Sequence, residues 1–204
     1  MKGKRRIWLP LAFLGVLALT RVPGLLPPNF SGLYALAFCA AVYLPPGLGW
    51  AVPLGFLLVT DLVLNAFVYE TKLISPFQWI TLAGYVVLIL LGRGFRPRDS
   101  WLKLLGGGLL GAILFYLVTN TAAWLFNPFG NREYTKDLAG WLIALTKGTG
   151  GYPQTWEFFR NTLLSGGLFT GLFVGAMKLA ESQETETEEA PEEASEPEVE
   201  EAKS

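Results

Sequence analysis

Asp61 and Asn65 stand four residues apart in an otherwise apolar run, and Asn120 stands between Thr119 and Thr121 in another. Four-residue spacing puts two side chains on one face of a helix, so a carboxylate and a carboxamide can be offered to one ligand. An asparagine amide both donates and accepts hydrogen bonds, and in hydrocarbon it is costly unless something meets it. Trp124 lies one turn beyond Asn120 on the same face. Arg160 and Asn161, with Glu157 and Thr162, open the last apolar run. Groups of this kind can recognise a polar or amphipathic molecule. The chain has no histidine, which excludes Ser-His and Cys-His hydrolases and removes the commonest transition-metal ligand. Its one cysteine, Cys39, leaves no partner for an intrachain disulfide. Gly148-Thr149-Gly150-Gly151 lacks the Gly-Lys-Ser/Thr ending of a phosphate-cradling loop and reads as a hinge. The expectation is a binding protein, not an enzyme, with no cofactor, no metal and no nucleic-acid partner.

These residues need helices to position them. With 51% hydrophobic residues and a mean hydropathy of +0.39, the chain suits a polytopic membrane protein. A spanning helix takes about 20 largely apolar residues, and six candidates occur, at 7–22, 30–45, 48–68, 75–92, 101–126 and 157–179. Pro-Pro pairs at 27–28 and 45–46 punctuate the second at both ends, because proline lacks the amide a helix interior requires. The segment 127–156 contains "DLAGWLIALTKG", too short to span, and it predicts a helix lying on the outer surface as a cap. The fold expected is all-α: a six-transmembrane-helix bundle over residues 1–180, with that surface helix in the loop before the last span. Ala37/Ala41, Gly107/Gly111 and Gly167/Gly171/Gly175 repeat at four-residue spacing, a pattern that lets helices approach closely. Residues 181–204 hold 11 of the 17 acids and one of the 16 bases. So charged a block cannot bury enough apolar surface to fold alone, and it reads as a disordered acidic tail.

Lys and Arg in short loops orient the spans. Lys2, Lys4, Arg5, Arg6, Arg93, Arg96, Arg98, Lys103 and Lys178 fall on one side of six spans, against Arg21, Lys72, Arg132, Lys136, Lys147 and Arg160 on the other. The bias predicts a multi-pass protein of the plasma (inner) membrane with both termini cytoplasmic. Asp61, Asn65, Asn120, Gln78, Thr81, Arg160 and Asn161 then share one level in the outer half of the bilayer. That convergence predicts an outward-facing polar pocket, walled by Trp79, Tyr116, Trp124, Trp156 and Phe158. The competing reading for each polar residue is interhelical glue, and for each aromatic an interface anchor. Asp61 needs a partner, for which Arg160 is a candidate, although Glu157 competes for it.

Several motifs carry a resemblance. "PPNFSGLYALAFCAAVYLPPGLGWAVPLGFLLVTDLVL" resembles the loop, second helix and third helix of the membrane-embedded substrate-binding (S) components of energy-coupling-factor transporters. Asn29-Phe30-Ser31, Thr60-Asp61-Leu62, Val118-Thr119-Asn120 with Trp124, and the run from Phe158 to Leu164 are similar to motifs of a small uncharacterised bacterial family of that fold. The likeness covers residues 25 to 178 in order. It implies a six-helix subunit that binds a small, vitamin-like nutrient from outside, using Asn29, Asp61, Asn120, Trp124, Arg160 and Asn161, with Asn65 beside them. It also implies a transmembrane coupling protein and two ATPase subunits in trans. The alternative is a non-transporting membrane scaffold of the same fold, with the polar residues as glue.

Overall fold

The computed structural model describes residues 8–193 except residue 71, with side chains over 14–182. The basic run at 2–6 and the end of the acidic tail at 194–204 lie outside the described residues. Seven helices follow in order: α1 (Trp8–Leu19), α2 (Leu33–Tyr43), α3 (Pro46–Phe67), α4 (Pro76–Gly92), α5 (Trp101–Phe126), α6 (Leu138–Thr146) and α7 (Thr155–Glu193). No strand occurs among the described residues; Pro23 and Leu26 form an isolated bridge. The helix boundaries have local causes. Pro46 and Pro76 occupy first-turn positions, where a missing amide costs nothing. The Gln78 side chain accepts from the Ser75 amide at 2.7 Å, and Ser100 and Asp137 accept from Lys103 and Gly140 amides at 3.3 and 2.7 Å. These caps satisfy donors that the first helical turn leaves open. Asn127 ends α5 in the left-handed region, φ 41°.

Six of the helices coincide with the six apolar segments of the sequence, and α6 is the predicted surface helix. Three of them, α3, α5 and the part of α7 up to Ser182, are long and apolar enough to cross a membrane. The others are shorter. α2 has 11 residues, about 16 Å of helix against about 30 Å of hydrocarbon. It forms the centre of the molecule: every residue from Leu33 to Val42 is buried, with α3, α4, α5 and α7 packed around it. A helix that is apolar on all sides has no face to give to water. Outward-turned apolar side chains occur instead on the long helices, such as Val59 at 61% and Leu172 at 61% exposure.

Small residues let these helices meet. A Cβ added at Gly92 would lie 2.7 Å from the Phe38 carbonyl oxygen and 2.8 Å from the Ala41 Cβ, so α4 crosses α2 at backbone distance. One added at Gly108 would lie 2.5 Å from the Thr170 hydroxyl, where α5 crosses α7. Gly167 faces Leu109, while Gly171 and Gly175 face Trp101. The small-residue faces of α5 and α7 are thus used inside this chain. α7 continues through 39 residues to Glu193, past the boundary at 180 read from composition. Extending a helix already nucleated costs little per residue, whereas the same acidic segment alone has nothing to start it.

Candidate functional site

A cavity of about 960 Å³ opens at one end of the bundle. Its lining comes from the C-terminal ends of α3 and α5 and the N-terminal ends of α2, α4 and α7, together with the loops that join them at that end. Strict alternation of helix direction is what delivers alternate helix ends to one level. Among the lining residues Tyr34, Tyr85 and Phe115 form one buried ring cluster. Tyr34 stacks on Tyr85 at 5.8 Å and 14°, and Phe115 lies 4.9 and 5.0 Å from them.

Asp61 lines this cavity and pairs with Arg21, Nη2 to Oδ1 at 2.5 Å. The Arg21 Nη1 also donates to the Thr60 hydroxyl at 2.8 Å, so the strand of chain after α1 is clamped to α3. The partner of Asp61 is therefore Arg21 and not Arg160. Arg160 is exposed, lies 5.4 Å over the Trp156 ring, and donates from its Nε to the side-chain Oδ1 of Asn161 at 3.4 Å. Glu157 instead accepts from the Gln154 amide at 3.3 Å.

Asn29, Asn65 and Asn120 also line the cavity. Asn29 sits in the left-handed region at φ 61°, which asparagine tolerates better than most residues. Asn65 donates to the Leu73 carbonyl at 3.1 Å, and Asn120 to the Tyr116 carbonyl of its own helix at 2.9 Å. Asn161 and Trp124 stand apart from the lining. Asn161 is 6% exposed and donates to the Pro28 carbonyl at 2.9 Å, holding the α1–α2 loop against α7. Trp124 donates to the Thr135 carbonyl at 2.6 Å and borders a smaller hollow of about 490 Å³ together with Lys136, Asp137 and Trp141. Its bulky ring, carried one turn beyond Asn120, meets the segment leading into α6.

Of the predicted aromatic wall, Phe158 lines the cavity, while Trp79 and Trp156 are 64% and 46% exposed. Tyr116 gives its hydroxyl hydrogen to the Leu145 carbonyl, and Trp141 its Nε1 hydrogen to Thr121 at 3.0 Å. Both fasten α6 to the side of α5. The cap over the cavity is consequently made by the segments flanking α6, including Pro128, Tyr134 and Gly148 to Pro153, and not by α6 itself. Gly148 and Gly151 adopt φ of +74° and +86°, turns that side chains with a Cβ resist. The Gly150 amide donates to Glu133 at 3.1 Å.

The carboxylates of this cap are held ionised. The Gly150 amide lowers the Glu133 pKa, and the Gly140 amide, then the Thr135 hydroxyl, lower that of Asp137. Burial raises the Tyr134 hydroxyl, with the Glu133 charge adding to it. Among the described residues no three His, Cys, Asp or Glu side chains gather where a metal ion could be held.

Sequence reasoning missed Arg21, counted there only as a loop base. A signal existed: it is the one base between Arg6 and Lys72. It also missed Tyr34, Tyr85 and Phe115, which are indistinguishable in sequence from ordinary core aromatics.

No curated protein and no solved structure matches the chain. The sequence pattern of DUF6580, a family of unknown function, matches residues 1–190, and the chain belongs to that family.

Proposed function

We propose that this protein is the substrate-capturing subunit of an uptake system: a six-span protein of the plasma membrane, both termini cytoplasmic, whose cavity faces outside and takes a small vitamin-like nutrient. The observation that carries this reading is the cavity itself, whose lining includes Asn29 from the α1–α2 loop, Asp61 and Asn65 from α3 and Asn120 from α5. The three shorter apolar helices complete the span count with their flanking loops, since irregular backbone is tolerated at membrane depth where protein covers it. No phosphate-cradling loop is present in the sequence, so energy comes from elsewhere. The resemblance to energy-coupling-factor S components supplies the source: a transmembrane coupling protein and two ATPase subunits in trans. Asn161 and Trp124 act around the site by holding neighbouring loops through the Pro28 and Thr135 carbonyls, while Arg160 stays on α7 against Trp156.

Native mass spectrometry of the purified full chain tests this directly. A small molecule should travel with the protein, and Asn120→Leu should weaken its retention by roughly 1–3 kcal/mol while the chain still folds. Helix–helix hydrogen bonds in membranes average only about 0.6 kcal/mol, so stability should change little. A Leu variant that unfolds, or one that keeps its ligand in full, removes Asn120 from the site.

The scaffold reading draws on a different observation: Asn120 and Asn161 spend amide hydrogens on backbone carbonyls within the chain. It requires an empty cavity and stable association with other membrane proteins.

A further inference from the structure

The charge inventory of the cavity carries an inference about what fits it, resting on the capture reading above. Among the described lining residues the ionised side chains are Arg21 and Asp61, and each faces the other at 2.5 Å. Everything else offered to a ligand is uncharged: amides, hydroxyls, rings, aliphatic side chains and backbone. A ligand with net charge would bring that charge into a half-dry space with no free counter-charge, which is costly. A neutral one avoids the penalty.

The polar rim is also directional. Asn120 and Asn65 each donate through Nδ2 to a backbone carbonyl. A carbonyl partner fixes which end of the amide is nitrogen and leaves Oδ1 as an acceptor. Gln78 is the reverse: its Oε1 accepts from Ser75, leaving the NH₂ as a donor. Tyr69, Phe77, Phe129 and Tyr152 also line the cavity, each more than a third exposed, the kind of surface on which another flat ring packs. At about 960 Å³ the space is at the upper end of ligand pockets, which run from about 300 to 1,000 Å³, and far exceeds what an ion or a single small amino acid fills.

We infer that the cavity selects an uncharged molecule carrying a flat ring and N–H or O–H donors along one edge. Three probes that share one ring and differ in charge test this: indole-3-acetamide, indole-3-acetate and tryptamine. Equilibrium dialysis against the full chain in detergent should rank the neutral amide first, by about tenfold or more, the equivalent of 1.4 kcal/mol. Arg21→Gln exposes the Asp61 charge and should move the preference to tryptamine. Asp61→Asn exposes Arg21 and should move it to indole-3-acetate. The double variant Arg21→Gln/Asp61→Asn should return the neutral amide to first place. If either single variant fails to fold, wild type and double variant decide the matter between them. A charged probe ranking first on the wild type overturns the inference, and so does the absence of binding by all three. The capture reading is judged separately by the co-purifying molecule. If that molecule is charged or lacks a ring, only the present inference fails; if none is found and no probe binds, both fail.

Discussion

Arg21 and Asp61 close a contact that joins the chain after α1 to the C-terminal half of α3, with side-chain exposures of only 17% and 13%. For a pair this sheltered, the cost of losing one member exceeds the value of the pair, because the survivor keeps its desolvation without its counter-charge. Arg21→Gln should therefore destabilise the protein by about 3 kcal/mol, while the double replacement with Asp61→Asn recovers most of the loss. Thermal melts of the three proteins in one detergent check this. Equal destabilisation in single and double variants would show that the Thr60 contact, and not the ion pair, carries the effect. Asp61 was conspicuous in the sequence because a lone carboxylate in an apolar run demands a partner. The identity of the partner was not legible: pairing across 40 residues depends on how the α1–α2 loop folds back, and no periodicity encodes that. Arg160 turns toward Trp156, which neither depth nor spacing reveals.

Helices were the legible element. Apolar runs, one of them bounded by Pro-Pro pairs, gave six segments that overlap α1 to α5 and the first part of α7, and the short run after Asp137 gave α6. What each helix faces was less legible, because runs that are apolar all round have no stripe to point with. α2 and α3 read alike in sequence, yet one is enclosed by protein and the other turns Val59 and Val63 outward at 61% and 49% exposure. The connections were least legible of all, and the cap over the cavity is built from them. There Glu133 holds Gly150 and Asp137 holds Gly140, both through carboxylates whose pKa is lowered by the amides they accept from. A lowered pKa in the folded state stabilises above the carboxylate's ordinary range and is lost as pH falls through the lowered value. The cap should thus be intact at neutral pH and loosen only below about pH 4. Amide chemical shifts of Gly140 and Gly150 should follow that titration; midpoints at or above ordinary carboxylate values would mean that these contacts do not form in solution.

For the whole molecule, the distribution of bases divides two faces. Reporter fusions at Lys103 and at Ser204 should both score cytoplasmic and one at Gly130 outside; an outside signal at Lys103 or Ser204 would break the six-span arrangement. The helix at the centre adds a demand of its own. α2 leaves the ribosome early, but α4, α5 and α7, which cover it, come later, and α7 comes last. Until then its 11 helical residues are too short to bridge the hydrocarbon, and their flanks carry unsatisfied backbone groups that lipid cannot serve. In the proposed six-span arrangement, biogenesis is then not a matter of inserting one span after another. The segment must wait, sheltered at the membrane surface or by an insertion factor, until synthesis has nearly finished. A nascent chain arrested before Thr155 should for that reason be a substrate for membrane proteases, and release should come only when α7 closes over it.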